Sequence, residues 1–512
     1  MAQKKRPNLL FLMADDMGAW AMHCAGNNEI VTPNLDRLAA CGTRLENLFC
    51  VSPVCSPARI SVYTGQIPSQ HGIHDFLVTG HFDPEKALSQ ELRDAFEMDN
   101  PPYEYLWPRQ LLRHTHADLY LRGDDTFTEK LAQAGYECGL SGKWHIGDCF
   151  TPQAGFTFWH PTGNGGENYM FPVVLEDGQM RLKHNCYVTD YITDNAISFL
   201  EHRDPEKPFC LAVHYTAPHS PWAPECHPKE YIDLYRDCPF DSIPTRPIHP
   251  WVSGADMSFE EWKKKPHPGV RFIHARYAPI RETWEPYCRE SQTGYYAAVT
   301  GMDRAIGRIL RKLELDGLLE DTLIVFTGDN GSNMGHHGIV GKGNGTYPMN
   351  MYDTSVKVPG IFCWPGHIPA GTVNESMISH YDFMPTLLAL CGVPYEQPER
   401  LPGRDVSNLI TDPDAGQDGE VVVFDEYGPV RMIRSKRWKL VHRYPDGPDE
   451  LYDLRKDPGE ETNRIDDPAL QLLRMQLQEH LETWFARYVD PALDGSKEDV
   501  HGKGQIDSHH FK

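Results

Sequence analysis

Apolar residues along the chain fall into short unbroken runs separated by stretches of helical period. Residues 8–14 (Asn-Leu-Leu-Phe-Leu-Met-Ala) form such a run and close on Asp15-Asp16. An apolar run of strand length without alternation predicts a strand buried on both faces of a parallel sheet. The same pattern predicts strands at 136–140, 209–213, 322–327 and 358–363. Between them, Thr32 offers an N-cap, Pro33 a first helical position, Leu35 and Leu38 an inner face and Gly42 a stop. Helices are also predicted at 126–134, 189–201 and 381–390. The clearest spans 295–315, where Tyr296, Val299, Ile306, Ile309, Leu310 and Leu313 line one side and Arg304, Arg308, Arg311 and Lys312 the other.

Strand and helix alternate, so the expected fold is α/β, a large mostly parallel central sheet flanked by helices. A Pro- and Gly-rich stretch at 394–403 and an acidic loop at 412–418 mark a boundary. Beyond it, short runs at 421–424, 430–435 and 438–442 predict antiparallel strands, followed by a helix at 468–488. The division is therefore a domain at 1–410 and a smaller α+β C-terminal subdomain at 411–512. Irregular stretches rich in aromatic residues, His and Pro, 81–125 (with Trp107, Arg109, His114 and His116) and 224–286, read as insertions. The polar tail after Asp490 is expected to be mobile.

At 512 residues the chain exceeds one ordinary core, and its 40% hydrophobic and 24% charged content is that of a globular protein. A formal net charge of −23 excludes nucleic acid and anionic membrane as partners, because no basic field would attract a polyanion. An anionic substrate would need positive charge concentrated locally. No apolar run is long enough to span a bilayer. The basic start, Met-Ala-Gln-Lys-Lys-Arg-Pro, resembles a signal peptide, yet the run after it ends in two carboxylates and not in a small-residue cleavage site. Thirteen cysteines, an odd number without framework spacing, fit reduced thiols, so the expected location is cytoplasmic.

In parallel sheets ligands gather outside the carboxyl ends of strands. Four predicted strand ends carry polar chemistry: Asp15-Asp16, Lys143 with His145, His214 with His219, and Asp329-Asn330. An extended backbone would point Lys143 and His145 the same way. Asp15, Asp16, Asp329 and Asn330 offer oxygen ligands only, which suits a hard divalent cation, Ca2+ first and Mg2+ second, and disfavours zinc. Any one of them alone is an ordinary turn residue; two acidic pairs ending two apolar strands are harder to explain that way. In Cys55-Ser56-Pro57-Ala58-Arg59, Pro57 suits the first helical position and would set Cys55 near a helix N-terminus that favours an anion, with Arg59 on the same face. The competing reading of Cys55 is a small buried hydrophobe.

Cys55-x-Pro57-x-Arg59 before Thr64-Gly65 stands with the strand-ending Asp-Asp, Gly-Lys-Trp-His, Ala-Pro-His, Gly-Asp-Asn-Gly and Gly-Lys-Gly motifs, in order from about Asn8 to the segment Glu450 to Leu454. This series resembles the type I, formylglycine-dependent sulfatases of the alkaline phosphatase superfamily. The resemblance implies that Cys55 is oxidised by a maturase to formylglycine, whose aldehyde hydrates to a gem-diol. One hydroxyl, activated by a metal on Asp15, Asp16, Asp329 and Asn330 that residue 55 also contacts, would attack the sulfur of a sulfate ester. By the same resemblance Lys143 and Lys342 clamp sulfate oxygens, Arg59 and His145 orient formylglycine, and His219 binds sulfate and protonates the leaving alcohol. His145 would be the base when the second hydroxyl expels sulfate. The substrate implied is a small sulfated molecule, a sulfated sugar above all. Gln66 stands where the family commonly has arginine. His336-His337 and the insertions are candidate pocket walls. Two alternatives stay open: a phosphodiesterase or phosphonate monoester hydrolase of the same superfamily, and a non-catalytic glycan-binding relative.

Overall fold

A computed structural model of the chain describes residues 6–77, 84–99, 119–121, 125–163, 165–244, 246–264, 277–412, 414–415 and 423–505. Trp107, Arg109, His114 and His116 of the first expected insertion lie outside them. Among the described residues strands run at Asn8–Ala14 (β1), Thr43–Phe49 (β2), Glu137–Gly142 (β3), Phe158–Pro161 (β4), Val173–Glu176 (β5), Gln179–Leu182 (β6), Phe209–His214 (β7), Thr322–Gly328 (β8), Lys357–Val358 (β9), Gly360–Cys363 (β10), Thr372–Ser379 (β11), Val423–Tyr427 (β12), Val430–Arg434 (β13), Trp438–Arg443 (β14) and Glu450–Asp453 (β15).

The central sheet has the order β11-β2-β10-β8-β1-β7-β3-β4, with β9 paired to β2. From β8 through β1, β7 and β3 to β4 every pairing is parallel, and β11 is parallel to β2. β10 runs antiparallel to both of its neighbours. β1 lies in the middle, and its alternate residues feed two separate cores: Leu9, Phe11 and Met13 face one, Leu10, Leu12 and Ala14 the other. Burial on both faces is why its sequence shows no polar alternation.

Several elements differ from expectation for identifiable reasons. The long helix is Trp284–Leu315, starting well before residue 295. Its first turns bury Glu290, Ser291, Gln292 and Thr293, so no apolar stripe announces them. The run at 358–363 is divided between β9 and β10, with Pro359 in neither. Thr32 makes no cap bond to its own helix. The amides of Asn34 and Leu35 instead donate to the buried Asp303 carboxylate of the long helix, at 3.0 and 2.8 Å. Gly42 acts through close approach and not as a left-handed stop, since a Cβ there would lie 2.2 Å from the Phe362 carbonyl oxygen of β10.

β12 to β15 form an antiparallel meander covered by the helix Gln471–Tyr488. Val51, Ile67 and Tyr381 share its core, which joins the C-terminal sheet to the segments flanking the central one. The tail after Asp490 is pinned, contrary to expectation, as far as residue 505. The Asp490 amide donates to the Ser69 carbonyl, Arg431 donates to Asp494 and the Gly504 amide to Asp75. Polar composition concealed this because the tail is held by hydrogen bonds more than by apolar burial.

Candidate active site

Parallel strands set their carboxyl ends along one edge, and four of them deliver the expected side chains there. β1 ends into Asp15 and Asp16, β8 into Asp329 and Asn330, β3 into Lys143, and the turn after β7 carries His219. All but His219 are buried. Asp16 has φ +61, a left-handed conformation that Asp tolerates through its short polar side chain. A fifth segment brings Cys55, the first residue of the helix Cys55–Thr64. Pro57 is thus the third helical residue and not the first; its missing N–H is one the helix start would leave unpaired anyway.

The contacts are mutual. The Cys55 thiol lies 3.3 Å from Asp15 Oδ1 and 3.9 Å from Asp16 Oδ1. Lys342 Nζ donates to Cys55 Sγ at 2.7 Å and to Asp16 Oδ1 at 2.5 Å, and Lys143 Nζ donates to Asp15 Oδ2 at 2.6 Å. Arg59 Nε donates to Asp329 Oδ2 at 2.8 Å and its Nη1 to the Lys143 carbonyl at 2.8 Å. Asp329 Oδ1 accepts the amides of Asp16 and Asn330. Asn330 Nδ2 donates to Asp16 Oδ1 at 2.9 Å. Three carboxylates therefore meet three cations, and one oxygen from each of Asp15, Asp16 and Asp329 lies within 4.8 Å of the others.

Burial and charge divide the carboxyl groups. Burial, reinforced by Asp329 and Asp16 and opposed by Lys143, raises Asp15 to about 8. Burial acts on Asp16 and Asp329 in the same sense but is outweighed, at Asp16 by Lys342 and His219 and at Asp329 by Arg59 and Lys143, so both are lowered. Burial and Asp15 push the Cys55 thiol up to about 12. An activated thiolate at the helix end, the first reading of this position, is not what the surroundings favour.

His145 does not share Lys143's direction, because its φ of +53 breaks the extended backbone. Its Nε2 faces the Leu77 carbonyl oxygen at 2.9 Å. His219 stands at the mouth, 21% exposed, with Nδ1 on the Ser220 carbonyl at 2.7 Å and Nε2 3.7 Å from Asp16 Oδ2. His214 lies behind the site: it is fully buried, with Nδ1 against the Lys143 carbonyl and, at 3.5 Å, Arg59 Nη1, and Nε2 against the Tyr63 hydroxyl. His336 packs on Trp20 and bonds the Asn333 carbonyl, while His337 stacks flat on Tyr352 at 3.7 Å. Gln66 is buried just past the helix, its amide on Thr64 Oγ1. Sequence reasoning passed over Ser56, Leu77 and Gly165; a Cβ on Gly165 would lie 2.1 Å from the His145 ring. A bare glycine, a serine beside a motif and a backbone carbonyl carry no signal of their own.

The cluster can hold a hard cation. Beyond the convergent carboxylates, Asn330 Oδ1 and Arg59 Nη2 are buried with no hydrogen-bond partner among the described residues, one an acceptor suited to a cation and the other a donor suited to an anion.

Comparison with known proteins agrees with this arrangement. The sulfatase family profile matches residues 7–393, and that of the N-sulphoglucosamine sulphohydrolase C-terminal region matches residues 345–486. An N-acetylglucosamine-6-O-sulfatase of Bacteroides thetaiotaomicron is 28% identical, over 98% of this chain and 90% of its own length. A solved structure described as a complex with its substrate D-glucosamine-2-N,6-O-disulfate superposes with TM-score 0.71 at 26% identity, over 96% of this chain and 100% of that one. The phosphonate monoester hydrolase of Agrobacterium radiobacter shares the fold, with TM-score 0.64 at 21% identity over 95% of this chain and 96% of that one. With one profile spanning most of its length and the motif residues of six segments gathered at one sheet edge, the chain belongs to the sulfatase family of the alkaline phosphatase superfamily, and is a sulfuric ester hydrolase.

Proposed function

We propose that this sulfatase releases sulfate from a small sulfated carbohydrate, using formylglycine made from Cys55 and one divalent cation, Ca2+ or Mg2+. The observation that carries the reading is the setting of residue 55: it sits against Asp15 and Asp16, and Asp16 in turn accepts from Asn330, whose Oδ1 has no partner among the described residues. Asp15, Asp16, Asp329 and Asn330 would hold the cation, with residue 55 beside it. A thiol is a soft ligand in an otherwise all-oxygen set, whereas an oxygen on residue 55 completes a hard one. When present, the cation lowers the pKa of a hydroxyl and neutralises sulfate oxygens, and the hydrated aldehyde offers two hydroxyls in place of one thiol.

The chain's own groups take the other roles. Lys143 and Lys342, each within hydrogen-bond reach of the carboxylates around residue 55, hold the sulfate oxygens where negative charge builds up. Arg59 fixes Asp329, and its Nη2, without a partner among the described residues, would donate to residue 55 or the sulfate. His219 at the mouth protonates the leaving alcohol, and His145 takes the proton from residue 55 as sulfate departs. His336 and His337 would contribute to the pocket wall. A carbohydrate substrate is supported by the relatives named for N-acetylglucosamine-6-O-sulfate and glucosamine disulfate. A reducing, cytoplasmic location is part of the proposal, supported by the twelve cysteines besides Cys55, which form no disulfide; a disulfide in the peptide map of native protein would contradict it.

The test pairs mass spectrometry of the Cys55 peptide, from protein made with and without a maturase, with assays on glucosamine 6-sulfate and on matched aryl sulfate and aryl phosphate diester. The expected result is formylglycine in every active preparation and sulfate release from the sugar. An unmodified thiol in active enzyme would overturn the mechanism, and faster cleavage of the diester would overturn the substrate class.

A further inference from the structure

We infer that Gln505, near the far end of the chain, is a positioning residue that sets the orientation of His145 through the loop 72–77. The inference rests on the proposed role of His145 as the base at residue 55.

Gln505 grips this loop at several points. Its side-chain Oε1 accepts the amides of His74 and Asp75 at 2.8 and 3.3 Å, and its Nε2 donates to the Gly72 carbonyl at 3.0 Å. Its own amide donates to the Phe76 carbonyl at 2.8 Å, and it pairs with Leu77 in a parallel bridge. The preceding Gly504 amide donates to Asp75 Oδ2 at 2.8 Å. The inner end of the loop reaches the site from both sides of one residue: the Leu77 amide donates to Ser56 Oγ at 2.9 Å, next to Cys55, and the Leu77 carbonyl faces His145 Nε2 at 2.9 Å.

That carbonyl decides which ring nitrogen can act. A carbonyl only accepts, so the neutral ring carries its hydrogen on Nε2 and its lone pair on Nδ1. Nδ1 is buried without a hydrogen-bond partner among the described residues, which leaves the lone pair free to receive a proton. Burial and the surrounding cations Lys143, Arg59 and Lys342 hold the ring neutral. With charge fixed by those groups, the Leu77 contact governs the tautomer and the aim of the ring. The loop must be held from outside for Leu77 to keep its place; the Tyr427 hydroxyl does so at Asp75, at 2.6 Å, and Gln505 does so with its side-chain bonds to Gly72, His74 and Asp75. A shift of about 1 Å at a catalytic group is enough to lower a rate by orders of magnitude.

The experiment uses matured full-length enzyme carrying Gln505→Met, which keeps length and apolar bulk but removes the side-chain bonds, with Gln505→Ala as a second variant. At equal formylglycine content, kcat for sulfate release should fall about tenfold while KM stays within about twofold. A readout independent of turnover is nitrogen-15 NMR of histidine-labelled protein, with the His145 signal identified by its loss in His145→Ala. Wild type should show the Nε2–H form, and Gln505→Met a mixture of tautomers. Unchanged kcat and an unchanged tautomer in Gln505→Met would overturn the inference, as would an Nδ1–H ring in wild type even if neither variant folded. Full turnover in His145→Ala would instead sink the reading of His145 as a base, leaving the tautomer result as a separate test of Gln505.

Discussion

Two of the clusters of buried charge among the described residues, one at the carboxyl ends of β1, β3 and β8 and the other against the C-terminal sheet, are completed differently. In the second, Arg434 grips Asp353 with two nitrogens at 3.1 and 2.7 Å, and Lys439 bridges Asp353 and Glu460 at 3.0 and 2.5 Å. Asp425 beside them has two buried oxygens without partners among the described residues, and burial, opposed by Lys439, raises its carboxyl far above the usual range. A proton on Asp425 leaves two cations against two anions. In the first cluster Arg59, Lys143 and Lys342 stand against Asp15, Asp16 and Asp329, with the Asp15 carboxyl raised by burial, and Asn330 Oδ1, Arg59 Nη2 and His145 Nδ1 are unpartnered among the described residues. A structural cluster closes its charges with its own side chains or a proton; a cluster built for chemistry leaves donors and acceptors of several kinds open.

The contrast can be broken at three places. The largest effect is expected from Cys55→Ala, which should lower sulfate release by at least about 1,000-fold while changing urea-unfolding stability by about 1 kcal/mol or less. Retention of a tenth of the turnover would locate the reaction elsewhere. Asp353→Ala should do the reverse. Removing the shared partner of Arg434 and Lys439 leaves two buried cations under-paired, a loss of about 3–5 kcal/mol in urea unfolding. Turnover per folded molecule should stay within about twofold of wild type; a parallel loss of turnover would erase the distinction between the clusters. The smallest effect concerns pH and Asp425→Asn. A carboxyl raised on folding keeps its proton in the folded state at pH values where the unfolded chain has lost it, so its contribution to stability declines as pH climbs above the ordinary carboxylate range. Asparagine has no such proton, so urea-unfolding curves at about pH 5 and about pH 8 should converge toward, or shift in favour of, the variant at the higher pH. An equal pH slope in both proteins would mean that Asp425 is ionised in the fold.

The central strands and the motif residues at their ends were legible because each signal is local: an apolar run, then Asp-Asp or Gly-Asp-Asn-Gly. β2 and β11 escaped because their residues mix buried and surface positions, so neither an unbroken run nor a clean alternation marks them. The site was legible as a set of residue types and not as a geometry. Lys143 and His145 are two apart but diverge, since the left-handed backbone at His145 is a property of the folded turn. Cys55 looked like an activated thiol because a helix start favours an anion; the Asp15 carboxylate beside it is contributed from a strand forty residues away. His214 carried the same strand-end signal as its neighbours and points into the core instead. The capping of Pro33–Ala40 by Asp303 and the docking of the tail through Gln505 join distant segments, and no local pattern encodes them.

The order of β1 in the sheet also sets a timetable. Its partner β8 and the Lys342 loop come late: Cys55 and Lys342 are separated by 287 residues, and His74 and Gln505 by 431. At a synthesis rate of about 5–20 residues per second, roughly 15–60 s pass between the making of Cys55 and the making of Lys342. During that interval the lysine that covers the thiol does not exist, and the burial found in the finished fold cannot yet be complete. Chemistry on residue 55 therefore has a period of open access written into the strand order, and the period ends as the second half of the chain is made.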